Sequence, residues 1–365
     1  MKKNKYFYNI EDDLEAYPEA IIYSIIGGRN TGKTFSTLLH SYLKEKRFIF
    51  IKRTIEDVKM LLSNKYSDSI KEDVDLSPFK SINREYNTNV GLFDIDKANG
   101  LGAFYRRGEE GEATGNILGY IMALSAVYKF KGFDLSDVEY IIFDEFIPNK
   151  WERVKRDEGI QLLELYKTIS RAREHKGLPP LKLIMLANSS NIACPILSDF
   201  NLIDTLAEME VNNQEYCYLK DRFILIHKIK DSEEFYETES QSPIYQAMAG
   251  TQWVEYALEN KFSYNDFSQV SKQKLKGYRI KFYFDYKNKR YYCYYNEDIN
   301  HYYINRIRAN KCNNYYDLSI EIDAGRLFYD EIIDLKNECL EGNCTFSDYS
   351  IYDLIMNYKR IMNVK

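Results

Sequence analysis

One stretch constrains the fold more than any other: IIGGRNTGKTFS, running from Ile25 to Ser36. Its centre, Gly27-Gly28-Arg29-Asn30-Thr31-Gly32-Lys33-Thr34, matches GxxxxGK[ST] at every fixed position. That pattern builds a phosphate cradle when a strand precedes it and a helix follows. Both flanks are present, AIIYSII (Ala20–Ile26) before it and TFSTLLHSYLKE (34–45) after it. Glycines let backbone N–H groups turn inward toward phosphate oxygens, and the helix N-terminus adds its dipole. Lys33 is expected to reach the β- and γ-phosphates, and Thr34 to ligate Mg²⁺.

A loop of this kind needs a parallel sheet behind it. Apolar runs at Ala20–Ile26, Arg47–Arg53, Gly119–Ser125, Glu139–Glu145 and Leu181–Asn188 read as strands covered on both faces, with Arg222–Ile229 as a further strand at an edge. Alternation with helical segments makes residues 1–231 an α/β domain with a mostly parallel sheet. The polar, acidic stretch from Lys230 to Pro243 reads as the start of a linker (232–265). Beyond it, YRIKFYFDYKNKRYYCYYN reads as two strands around a polar turn, and the chain from Asp317 onward as helical.

The second half of a nucleotide site is YIIFDEF (Tyr140–Phe146). Four apolar residues lead into Asp144, placed to hold Mg²⁺, and Glu145, placed to polarise an attacking water as general base. A glutamate there suits an ATPase that hydrolyses against water better than a small-molecule kinase. Asn188 closes the strand LKLIMLAN, where its amide can sense a γ-phosphate or simply belong to an Asn-rich turn. Leu162, Tyr166, Ile169 and Arg173 share a helical stripe in QLLELYKTISRAREHKG, and Arg171 lies about 200° from Ile169. Arg171 is thus either an arginine finger for a neighbouring subunit or a cation favoured at a helix C-terminus.

Net charge is −5, which does not mark a nucleic-acid binder, but its distribution is uneven. From Ser271 to Lys311 eleven Lys/Arg face three Asp/Glu, a local net of +8 with interleaved tyrosines. Lys272, Lys274, Lys276, Lys287, Lys289 and Arg290 are the candidates for phosphate contacts; a solvated basic face is the alternative. The six cysteines form no CxxC pair and the four histidines are scattered, which argues against a zinc site and for a reducing cytosol. No apolar run approaches the ~20 residues that span a bilayer, so no membrane partner is expected. The charged start, MKKNKYFYNIEDD, has no signal-peptide character.

Together FYN, GGRNTGKT, FIFIKR, IMALS…KFKG…DVEYIIFDEF, ELYKTISRARE, LANSSN and CPILSDFNL resemble the DNA-packaging ATPases (terminase large subunit type) of small, protein-primed, short-tailed bacteriophages. The resemblance is specific over about Tyr6–Leu202 and diffuse beyond. It implies an ASCE P-loop ATPase domain that forms a homopentameric ring on the capsid portal (connector), in the host cytoplasm and transiently on the procapsid. ATP then sits between subunits, and its hydrolysis drives double-stranded DNA inward. By position the resemblance gives Arg171 the finger role and Arg29 an aid to the γ-phosphate. It makes Lys131 a second basic residue acting across the interface and Tyr8 an adenine contact. It also implies an RNase H-like domain over 266–365, a vestigial nuclease, and a structural packaging RNA that docks on the motor. Asp285 has no evident carboxylate partner and reads as a turn former in DYKNKR. The competing readings are a nuclease-competent terminase, a cellular translocase or helicase, and an ATP-gated switch without turnover.

Overall fold

The computed structural model describes residues 7–63, 76–108, 112–130, 132–149, 152, 154–171, 173–230, 233–251, 253–254, 262, 265–309 and 312–364. Two compact units are present. The first comprises Met1–Phe200 with Asn212–Tyr264, the second Asn201–Val211 with Asn265–Lys365.

The first unit is built on nine strands: β1 (Ile22–Gly27), β2 (Phe48–Lys52), β3 (Val90–Asp96), β4 (Leu101–Arg107), β5 (Ala113–Ala123), β6 (Tyr140–Asp144), β7 (Lys182–Asn188), β8 (Tyr216–Leu219) and β9 (Ile224–Lys228). Their order is β3-β4-β5-β2-β6-β7-β1-β9-β8. The six from β5 to β9 run parallel. The expected apolar runs form these central strands, and Ile25, Ile49, Phe50, Ile141, Ile142 and Ile184 are fully buried, as a sheet covered on both faces requires. The strand ending in Asn188 is inserted between the phosphate-loop strand and the acidic strand. The sheet therefore brings the C-terminal ends of β1, β7, β6 and β2 together in that order.

Three features depart from the sequence reading. An antiparallel pair, β3–β4, joins β5 at one edge. At the other edge β9 is not terminal, because β8 pairs with it antiparallel. The polar stretch read as a linker contains a helix, Glu233–Ser240, within the first unit.

The second unit carries β10 (Arg279–Tyr286), β11 (Lys289–Asn296), β12 (His301–Asn305), β13 (Tyr315–Asp317) and β14 (Cys344–Phe346), in the order β13-β10-β11-β12-β14. The β10–β11 hairpin turns on Lys287 and Asn288, both at positive φ (46° and 61°), which is the backbone a tight hairpin of right-twisted strands needs. Phe282, Phe284, Tyr291, Cys293 and Ile304 face the helices Glu321–Leu327, Ile333–Leu340 and Tyr349–Met356 across one apolar core. The helix Ile203–Val211, expected in the first domain, belongs here. Asp204 accepts from the backbone N–H and hydroxyl of Ser350 (2.8 and 3.0 Å).

Asp285 also needs correction, for it lies within β10 rather than in the turn. Parallel register sets Asp317 of β13 beside it, a carboxylate neighbour that the sequence did not reveal. Both Asp285 oxygens are engaged, however. Arg290 donates to each at 2.7 Å, and the Tyr315 hydroxyl donates at 2.9 Å. The Arg290 bonds hold the Asp285 carboxyl below the usual carboxylate range. Among the described residues no group of three or more His, Cys, Asp or Glu side chains is arranged to hold a metal.

Candidate functional site

The phosphate loop begins where β1 has no room for a side chain. A Cβ on Gly27 would stand 3.0 Å from Ile229. The loop ends at Gly32, whose φ of +84° caps the helix Lys33–Leu43 and would strain any other residue. Lys33 is buried and its ammonium is held inside the loop, by Gly28 O at 2.6 Å, Gly27 O at 3.2 Å and Thr31 Oγ1 at 3.1 Å. It also donates to Asn188 Oδ1 at 3.3 Å, which joins the loop to β7. Thr34 Oγ1 donates to Asp144 Oδ1 at 2.7 Å. The residues expected to share a Mg²⁺ thus already meet, and two hard oxygens side by side suit that ion.

Asn30, Thr31, Lys33, Thr34, Glu145 and Asn188 border a cavity of about 230 Å³. Glu145 stands just past the end of β6 with φ +58°, a left-handed conformation that costs a non-glycine residue roughly 1–2 kcal/mol. Such strain persists only where surrounding contacts enforce it, and it concentrates at functional sites.

Two residues at the end of β2 were missed by sequence reasoning. Lys52 donates to Asp144 Oδ2 at 2.8 Å and to Glu145 Oε2 at 3.1 Å. Burial works against its charge, but the two carboxylates outweigh it and raise its pKa. Arg53 is 6% exposed and lies beneath the strained segment. It donates to Glu145 O (3.1 Å), Phe146 O (2.8 Å), Glu158 Oε1 (2.6 Å) and Glu152 Oε1 (2.7 Å). The signal was the Lys-Arg pair ending FIFIKR: two cations closing a buried parallel strand must face carboxylates or carbonyls at neighbouring strand ends.

Tyr8 lies against the loop through its backbone, its N–H donating to Thr31 O at 2.9 Å. Its side chain turns to a buried pair instead, with the hydroxyl on Asp13 Oδ2 at 2.8 Å and the ring edge-on to His227. Arg29 is exposed. Lys131 lies outside the described residues. Arg171 is exposed just beyond the helix Glu158–Ile169, whose C-cap is Ser170. Arg173, on the apolar stripe, is buried and ties down carbonyls of Ser136, Val138 and Pro179. That one arginine is structural leaves only its neighbour facing outward.

The basic segment is not one band. Lys272, Lys274 and Lys276 are exposed ahead of β10, whereas Lys287, Lys289 and Arg290 cluster at the hairpin turn. The eight-residue strand β10 lies between the groups, about 26 Å at ~3.3 Å per residue. Acidic neighbours accompany Lys272, Lys289 and Arg290: Glu208 at 3.6 Å from Lys272, Asp204 at 3.7 Å from Lys289, and Asp285 at Arg290.

A family model of Podovirus DNA encapsidation proteins (Gp16) matches residues 103–327, well over half of the chain. The chain belongs to this family. The "DNA packaging protein" of Bacillus phage B103 is 26% identical over 277 residues, covering 74% of this chain and 73% of that protein. That of Bacillus phage phi29 is 24% identical over 261 residues, covering 70% and 66%. Among solved structures, a chain of the bacteriophage Phi-29 viral genome packaging motor assembly covers 98% of this chain and 99% of its own, with a TM-score of 0.65 at 20% identity. The Phi-28 gp11 DNA packaging motor gives 0.58 at 18%, covering 99% of each. At such identities the likeness shows a shared fold. The family match begins beyond the phosphate loop, so the nucleotide reading stands on the loop's own geometry.

Proposed function

We propose that this chain is the ATP-hydrolysing subunit of a ring-shaped motor that drives double-stranded DNA into a preformed capsid. Family membership supports the packaging role, and the names of the phage relatives point the same way. One observation carries the ATPase reading: Lys33 and Thr34 reach across to Asn188 and Asp144, uniting the phosphate loop with the ends of β7 and β6. Insertion of β7 between β1 and β6, with Glu145 one residue past Asp144, supports the reading as an ASCE ATPase.

In this reading the loop amides and Lys33 bind the triphosphate of ATP, and Thr34 with Asp144 holds Mg²⁺. The ion, when bound, neutralises charge on the β- and γ-phosphate oxygens. Glu145 accepts a proton from the water that attacks the γ-phosphorus, and Asn188 orients the terminal phosphate. A ring of five subunits, a portal partner, a packaging RNA, and action on the procapsid in the host cytoplasm belong to the same proposal. So does descent of the second unit from an RNase H-like nuclease. Arg290 on Asp285 supports loss of cutting activity, since a guanidinium fills the place of a cation there.

DNA-dependent phosphate release tests the reading. Lys33→Ala should abolish tight ATP binding. Glu145→Gln should bind ATP nearly normally and turn over at least ~10²-fold more slowly, the range for losing a positioned base. Tight binding with no hydrolysis in the unmodified chain, with DNA present, would favour an ATP-gated switch instead.

A further inference from the structure

We infer that Arg53 is a positioning residue for hydrolysis, holding Glu145 in its strained backbone conformation and tying it to the helix Glu158–Ile169. This rests on the ATPase reading and adds to it a residue that never reaches the nucleotide cavity.

A non-glycine residue at φ +58° relaxes unless something grips its peptide groups. Here the grip is visible. One guanidinium nitrogen, Nη2, donates to the carbonyls of both Glu145 and Phe146. From the other side, Phe146 N–H donates to Leu186 O at 3.1 Å, fixing the segment to β7. Arg53 is itself held from three directions: Nε by Glu158, Nη1 by Glu152, and the guanidinium face by the Phe143 ring, 5.6 Å away. A planar fork with fixed donor directions can serve two carbonyls and two carboxylates at once, which a lysine ammonium cannot.

The network also reaches outward. Glu158 opens the helix whose far end leads to Arg171. Its Oε1 is bonded to Arg53, while its Oε2 is buried and accepts no hydrogen bond among the described residues. A half-satisfied buried carboxylate is held at a cost. Here the site accepts that cost because the fork is committed to the carbonyls of the catalytic segment rather than to both oxygens of Glu158.

A merely structural arginine would lower stability without touching the chemical step selectively. The test therefore uses the full-length chain, nucleotide affinity, DNA-stimulated turnover and a double-mutant cycle. Arg53→Lys keeps the charge near Glu158 and loses the fork. It should bind a fluorescent ATP analogue within about threefold of the parent, with kcat at least tenfold lower. Combined with Glu145→Gln, it should slow turnover no further, because both changes remove one function. Should Arg53→Lys not fold, Arg53→Met/Glu158→Met removes both charges together, a kind of exchange that buried pairs tolerate, and the same cycle is read from it. Unchanged kcat in a folded Arg53 variant, or losses that multiply with Glu145→Gln, would overturn the positioning role and leave the ATPase reading intact. Wild-type turnover in Glu145→Gln alone would overturn both.

Discussion

Lys52 sits where two carboxylates would otherwise repel each other. Asp144 and Glu145 each accept from its ammonium, and the Lys52 side chain is 17% exposed. The contact differs from that of Arg53: Lys52 touches the carboxylate proposed as base, Arg53 the peptide that carries it. Removing the lysine charge leaves adjacent anions without a counter-ion, and a base held only by its own flexible chain. Lys52→Met should therefore lower kcat about tenfold or more while nucleotide affinity changes little, since Lys33 and the loop remain intact. Lys52→Arg should recover most of the rate, because a cation returns to the same place. Turnover assays on the three proteins decide this; a Lys52→Met enzyme as fast as the parent would reduce the contact to a surface ion pair of small consequence.

At the scale of elements, the β10–β11 hairpin has two faces to test. Arg290 and Tyr315 occupy the only Asp285 oxygens, so the full-length chain should not nick supercoiled plasmid with Mn²⁺. Nicking that disappears in Asp285→Ala would show that the carboxylates still work. The hairpin turn brings Lys287, Lys289 and Arg290 together at one end of the strand pair. If Lys287 and Lys289 neutralise phosphates, reversing both charges should flatten the dependence of log K on log[salt] by ~0.7–0.9 per contact. An unaltered slope for RNA and for DNA would mark the turn as a solvated face.

These elements also show where sequence runs out. β1, β2, β6 and β7 were legible because a strand buried on both faces needs an unbroken apolar run, as FIFIK and IIFD supply. The β3–β4 pair was not, because in β3 only Val90 to Leu92 are buried while Asp94 and Ile95 face water, so glycine and aspartate interrupt the apolar signal. The loop, Asp144 and Glu145 were legible through fixed spacing. Lys52 and Arg53 were not, since their roles depend on β2 lying beside β6, a neighbour relation that no spacing along the chain records. For the same reason Ile203–Val211 looked like the end of the first domain: its partner, Ser350, is 146 residues away.

At the scale of the whole molecule, the proposal requires more than one copy. Arg171 is exposed and follows a helix that Arg53 and Glu158 anchor near Glu145, while Arg173 beside it is consumed by three backbone carbonyls. A guanidinium on transferred γ-phosphoryl oxygens contributes ~10³–10⁵ in rate, whereas an exposed arginine serving only its own surface contributes almost nothing. Arg171→Ala should thus be nearly inactive, and so should Glu145→Gln, yet for reasons located on opposite sides of a subunit boundary. Mixing the two should create interfaces that pair an intact Glu145 with a neighbour's intact Arg171, and those interfaces should hydrolyse ATP. Measured phosphate release from the mixture should exceed that of either parent many times over. If co-assembly is verified by light scattering and the mixture stays silent, Arg171 does not act on its neighbour.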